Sequence, residues 1–178
     1  VSDPENPVWD AGNTTVNALP SAPLWVAQFY GRAFFGLGNM VVFTDELALS
    51  ISNTNFAAAL TIGDSSYTTG AVGLPMANTT GGVLQALVVL KASSISQITG
   101  DITLTSAPLS LNKLSANIGC VMPRSAQSTP RGIIFIASDG PRIVELTSAG
   151  SYLHAPEAPT PDVVAPFKKA TDPSRVCG

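Results

Sequence analysis

Charge is scarce in this sequence. Nine Lys and Arg and twelve Asp and Glu make up 12% of 178 residues, about half the roughly 25% of an average soluble domain. The net charge is −3, and no basic run is longer than Lys168-Lys169, which argues against electrostatic clamping of nucleic acid. Histidine occurs once, at His154, and cysteine twice, at Cys120 and Cys177, so a zinc site of the Cys/His kind lacks its ligands. The two cysteines are expected as free thiols. No apolar stretch approaches the roughly 18–20 residues of a membrane helix. A Gly-x-Ser-x-Gly elbow, a Walker-type glycine loop and an Asp-x-Asp-x-Asp-Gly calcium loop are all missing.

Apolar residues nevertheless reach 45%, and 18 serines and 16 threonines take the place of charge. The surface is then polar but thinly charged. A free monomer normally carries more charge to resist association, so coverage by neighbouring subunits is expected. The apolar residues fall into short runs folded around small-residue turns. The turns Gly38-Asn39, Ser93-Ser94 and Asp139-Gly140 lie 55 and 46 residues apart. Short strands recurring every 40–50 residues read as blades of a β-propeller. The predicted class is all-β: propeller-like antiparallel meanders forming a partial propeller. A β-sandwich or jelly roll is the alternative.

Residues 1–23, with Pro4, Pro7, Pro20 and Pro23, read as an extended arm anchored by Trp9. Residues 24–155 carry the blades, and 156–178 form a proline-rich extended linker. In the first blade, Trp25, Ala27 and Phe29 share one face, Tyr30-Gly31-Arg32 turns the chain, and Gly38-Asn39 turns it again. Leu47, Leu49 and Ile51 alternate as an outer strand would. Residues 56–60 fit a helical turn or an edge strand, and 63–66 and 78–82 fit turns and loops. Ala86 to Leu90 is apolar on both faces and should be buried on both sides. Leu109 and Leu111 keep a strand period. Pro123 and Pro130 bracket a loop, Ile133 to Ala137 is a fully apolar core strand, and Asp139-Gly140 is the strongest hairpin turn. The chain opens on Val1 and stops at Gly178 after what reads as the approach to another strand, so a piece of a longer polypeptide is expected.

No residue stands out as catalytic, cofactor-binding or metal-ligating. His154 would need a nucleophile and an orienting carboxylate to act as a base, and a surface loop is its expected place. The carboxylates are scattered over Asp45-Glu46, Asp64, Asp101, Asp139 and Glu145. Asp64, Asp101 and Asp139 each sit by a glycine in a turn, where Asp caps local backbone. Asn13-Thr14-Thr15 and Asn78-Thr79-Thr80 match the N-glycosylation acceptor pattern, which arises easily by chance in such a composition. Arg124, Arg131, Arg142 and Arg175 suit intersubunit ion pairs or solvated surface.

Three stretches carry a resemblance. They are residues 26–45 (Val-Ala-Gln-Phe-Tyr-Gly-Arg-Ala-Phe-Phe-Gly-Leu-Gly-Asn-Met-Val-Val-Phe-Thr-Asp), residues 81–91 with 97–101, and residues 119–125 with 129–140. Together they resemble the propeller-bearing tail hub or nozzle proteins of short-tailed, podovirus-type bacteriophages and their prophage relatives. Residues 164–167 and 173–175 resemble a linker before a further blade in such proteins. The resemblance implies a structural virion protein of the tail, made in the bacterial host cytoplasm, with no enzymatic activity and no cofactor. It further implies a ring of copies, six being the expected number, that forms a conduit for DNA ejection. The implied partners are other copies of the chain, portal or adaptor proteins, tail fibre or needle proteins, and DNA passing without sequence-specific binding, with no membrane span. A receptor- or glycan-binding tail or capsid decoration module is the alternative, in which Trp9, Tyr67 and Tyr152 would share a loop face. A hydrolase propeller would need facing carboxylates in a funnel.

Overall fold

A computed structural model describes residues 19, 21–44, 59–77, 83–100 and 109–145, and every regular element among them except one 3₁₀ turn is a strand. The first hairpin joins β1 (Trp25–Phe29) to β2 (Arg32–Leu37). Its two-residue turn puts Tyr30 at φ 47° and Gly31 at φ 66°, the pair of positive φ values that matches strand twist. The second turn places Gly38 at φ 63° and leads into β3 (Met40–Phe43), beside which lies the short β4 (Leu60–Thr61). The second sheet comprises β5 (Thr68–Ala77), β6 (Val83–Lys91), β7 (Ile95–Thr99) and β8 (Ser110–Ser115). After the 3₁₀ turn Pro123–Ser125 come β9 (Gln127–Thr129), β10 (Gly132–Ala137) and β11 (Gly140–Glu145).

Within each sheet the strands pair antiparallel in chain order, β1-β2-β3-β4, β5-β6-β7-β8 and β9-β10-β11. This is the meander of a propeller blade. A jelly roll would instead pair strands distant in sequence, and the described strands make no such pairing. The recurring hairpin of the sequence is in each case the one between the second and third strands: β2–β3, β6–β7 and β10–β11.

The sheets stack face to face with the second in the middle. Alternation along β6 sends Leu87 and Val89 to one side and Ala86, Val88 and Leu90 to the other. Leu87, Val89 and Ile98 pack with Phe29, Phe34, Val41 and Ile62 of the first sheet and the β4–β5 connection. Ala86, Val88, Leu90 and Ile95 pack with Ile133, Phe135, Ala137 and Val144 of the third. Phe29 meets Phe34 edge-on at 5.5 Å between ring centroids. The first strands of successive sheets are also neighbours, β1 with β5 and β5 with β9. At the β1–β5 approach, a Cβ on Gly73 would lie 2.7 Å from the Gln28 carbonyl oxygen, so only glycine allows it. Sheets that radiate from adjacent first strands and pack by their faces make a propeller-like arrangement.

Several sequence expectations hold. Trp25, Ala27 and Phe29 do share the face toward the second sheet, and Ala86 to Leu90 are fully buried. Others need correction. The segment between Pro123 and Pro130 is not only loop, since Gln127–Thr129 pair with β10. The β10–β11 turn is Ser138-Asp139, and Gly140 already pairs with Ala137. β10 is buried along its length except at Ile134, which is 42% exposed. The ten-residue β5 was not foreseen at all. The expectations for Trp9, for Leu47, Leu49 and Ile51, for residues 56–58 and 78–82, and for the linker 156–178 lie outside the described residues.

Phe135, fully buried at the second seam, should cost about 3–5 kcal/mol on truncation to alanine. Leu111→Ala, at an exposed position of β8, should change stability by no more than about 0.5 kcal/mol. Urea unfolding of both variants checks the stack, and equal losses would contradict it.

Candidate functional site

Apolar packing brings the sheets together without fixing their angle, because hydrophobic contact has no direction. Direction comes from a few polar groups at the seams. At the first seam the Trp25 indole N–H donates to the Thr68 hydroxyl at 2.9 Å. That hydroxyl donates in turn to the Gly38 carbonyl at 2.9 Å, and the Thr68 backbone N–H reaches the same carbonyl at 2.7 Å. Thr68 is 1% exposed, so this small network ties β1, the β2–β3 turn and β5 where water does not compete. Trp25 can lie flat across the sheet because its cross-strand partner is Gly36.

Lys91, at the end of β6, is the one charged side chain among the described residues that is fully buried, at 1% exposure. A buried ammonium requires a partner. Its Nζ donates to the Asp64 carbonyl at 2.7 Å and to Asp64 Oδ1 at 2.9 Å, pinning the β4–β5 connection onto the second sheet. Asp64 Oδ1 also accepts from the Ser66 N–H at 2.9 Å and from the Ser66 hydroxyl. The Ser66 hydroxyl, the Lys91 ammonium and the Ser66 amide, in that order, hold the Asp64 carboxyl well below the usual carboxylate range.

A third cluster joins the second sheet to the third. The Cys120 N–H donates to the Lys91 carbonyl at 2.7 Å and the Val121 N–H to the Ile136 carbonyl at 3.0 Å. The Thr69 hydroxyl donates to the Cys120 carbonyl at 3.0 Å. Buried Ser125 donates through Oγ to the Met122 carbonyl at 2.7 Å and accepts from the Ile136 N–H at 3.0 Å. The Cys120 thiol donates to the same Met122 carbonyl at 3.0 Å. Burial pushes the Cys120 thiol up, which disfavours the reactive thiolate. Gly119 lies so close to the Lys91 carbonyl and the Ser94 amide that a Cβ there would collide with backbone.

The residues singled out in the sequence are distributed as follows. Asp64 caps its own turn as expected and also holds Lys91. Asp139 pairs with Arg142, with one bond at 3.2 Å, and Glu145 pairs with Arg131. Arg131 and Arg142, which suited either intersubunit ion pairs or solvated surface, therefore have partners within the chain. Arg124 is exposed, and Cys120 is free and buried. His154, Asp45, Glu46, Asp101, Asn13, Asn78, Arg175, Cys177 and Tyr152 lie outside the described residues. Tyr67 is 70% exposed, with its ring over Gly38. Among the described residues no group of three or more His, Cys, Asp or Glu gathers as a metal site requires. The groups that matter at the seams, Thr68, Lys91 and Ser125, went unnoticed in the sequence. Lys91 had a signal: it directly follows a run apolar on both faces.

These groups tie sheet to sheet. Because the folded Asp64 carboxyl sits below its unfolded value, its contribution is complete above the ordinary carboxylate range. It is lost as pH falls through that range, from about pH 5 downward. Asp64→Asn should therefore flatten the loss of stability on acidification, read as urea midpoints against pH. At neutral pH, Asp64→Ala strands a buried ammonium, whereas Lys91→Met leaves an exposed carboxylate free to hydrate. The first should lower the urea midpoint more, and the second should cost no more than about 1.5 kcal/mol. The reverse order would contradict the latch. In comparisons with known proteins, the chain matches no protein family, no curated protein and no solved structure.

Proposed function

We propose that this chain is a structural virion protein of a short phage tail, of the hub or nozzle kind, whose blades help to wall the conduit for DNA ejection. The observation that carries the reading is the stack of chain-ordered meanders with adjacent first strands, which agrees with the resemblance of residues 26–45, 81–91 with 97–101, and 119–125 with 129–140 to such proteins. The seam chemistry supports it. Thr68, Ser125 and the Lys91–Asp64 pair are spent on holding sheets in register, which suits a part that bears load. Low charge supports it as well, since a conduit wall with few cations offers passing phosphates little to adhere to.

On this reading the chain works by shape, alongside further copies of itself and the neighbouring portal, adaptor and fibre or needle proteins. Turnover of a substrate plays no part. Tyr67 favours a second reading as a glycan-binding module, because an aromatic ring 70% exposed is a stacking platform for sugars.

Mass spectrometry of purified tails from the source phage or induced prophage should recover peptides of this chain in several copies per particle. Its deletion should leave DNA-filled heads that cannot infect. Particles that lack the chain and infect normally would overturn the tail reading. His154→Ala should leave assembly and infectivity unchanged, and a folded but non-infectious variant would contradict a purely structural role. Specific glycan-array binding lost in Tyr67→Ala would favour the second reading.

A further inference from the structure

Among the described residues, the first two sheets have four strands and the third has three. In the first two, the fourth strand adds to the outer edge of the third, β4 on β3 through Met40 and Val41, and β8 along all of β7. β11 holds that third place in the last sheet, and among the described residues it pairs with β10 alone.

The register shows what this edge offers. Ala137 and Gly140 close a two-residue turn, so they exchange hydrogen bonds, and every second pair beyond them does the same. The pairs in between turn their backbone groups outward. On β10 the outward groups are taken, because Gly132 and Ile134 face β9 and the Ile136 carbonyl accepts from the Val121 N–H. On β11 they are the Pro141 carbonyl and both backbone groups of Ile143 and Glu145. Pro141 suits its place, since its nitrogen faces away from β10 and has no hydrogen to donate.

A strand left at an edge is normally guarded by charge and water. β8 is such a strand, with four of its six residues exposed, Lys113 among them. β11 differs. None of its residues is exposed, and both its charges are already held, Arg142 by Asp139 and Glu145 by Arg131. Backbone groups shielded from water need partners.

We infer that residues 162–165, Asp-Val-Val-Ala, pair with β11 as the fourth strand of the last sheet. The inference is independent of the tail reading. The occupant follows from chain length and composition. Ten residues separate β7 from β8 and sixteen separate β3 from β4. The same range after Glu145 starts a strand between residues 156 and 162. Prolines at 156, 159 and 161 remove donors from the first six of these positions, which breaks a ladder. Asp162 opens the first run of four residues without proline. It carries two β-branched valines, and Pro166 ends it.

The test is amide hydrogen exchange and cross-strand nuclear Overhauser contacts in the full 178-residue chain. The Ile143 amide should be protected to within about tenfold of its neighbour Val144, which is bonded to β10, and Ile143 should show contacts to Val163 or Val164. Adjacent strand residues aim their N–H groups at opposite edges. Of Val163→Pro and Val164→Pro, one should therefore speed Ile143 exchange by at least about tenfold and the other should leave it nearly unchanged, with Val144 still protected in both. An Ile143 amide that exchanges as an open one in the wild type would overturn the inference. So would contacts to residues 151–154, contacts seen only between differently labelled copies, or two proline variants that exchange as wild type. The wild-type contacts decide the matter even where a proline variant does not fold.

Discussion

A strand with apolar side chains on both faces cannot lie at a surface, and β6 is such a strand. Ala86, Leu87, Val88, Val89 and Leu90 are all fully buried, and each large one contributes roughly 1.5–3 kcal/mol only while covered. That demand puts the second sheet in the middle and obliges one sheet to pack on each side. The rest follows from it. Phe29 and Phe34 must face one way and Ile133 and Phe135 the other, and the connections between sheets must carry the chain from one layer to the next.

Those connections are where polar chemistry gathers, for a physical reason. Thr68 and Thr69 stand at a register shift of β5, where Thr68 pairs with Lys91 and Gly70 with Leu90, and such an irregularity re-aims side chains. Thr68 bonds to the β2–β3 turn, and Thr69 to the Cys120 carbonyl on the way to the third sheet. One strand thus sets the register of both seams with two neighbouring hydroxyls. Lys91 uses each end of its length differently. Its carbonyl takes the Cys120 amide, and its ammonium holds Asp64. Removal of the methylene stem between them would detach one connection from the other. Oily sheets would still collapse together without these groups, but nothing would select one crossing angle.

Much of the architecture was legible in the sequence because hairpins announce themselves locally. Tyr30-Gly31, Gly38-Asn39 and the apolar runs around them encode strands whose partners lie a few residues away, and their spacing encoded the repeat. β5 was not legible. Gly70, Gly73 and Pro75 break the usual strand pattern, yet each has a place. Gly73 admits the Gln28 carbonyl, and Pro75 lies in an edge strand, paired with β6 alone, where a missing N–H costs little. The exposure of Ile134 was hidden for a different reason. Composition marks it as core like Ile133 and Ile136, and only the packing of the sheets leaves it 42% exposed while they are buried. The seam groups were hidden because Thr68 and Ser125 are common residue types whose partners lie 30 and 11 residues away.

The thin charge of the chain now has a structural origin. An ordinary two-layer sheet protein has one outward face per sheet, and those faces carry its charged residues. In a stack, an inner sheet such as the second gives both faces to packing. Each described ion pair has one partner outside the strands, Asp64 in a connection, Asp139 in a turn and Arg131 in the turn before β10, and the other on β6 or β11. An open stack would still need polar side chains on its two terminal faces. This one sets exposed Gln127 beside Ile134 on its last face, with Glu145 near its rim, and exposed Gln28 on the same face as Val26 in the first sheet, where Phe35, Leu37 and Val42 are buried against Leu19 and Ala59.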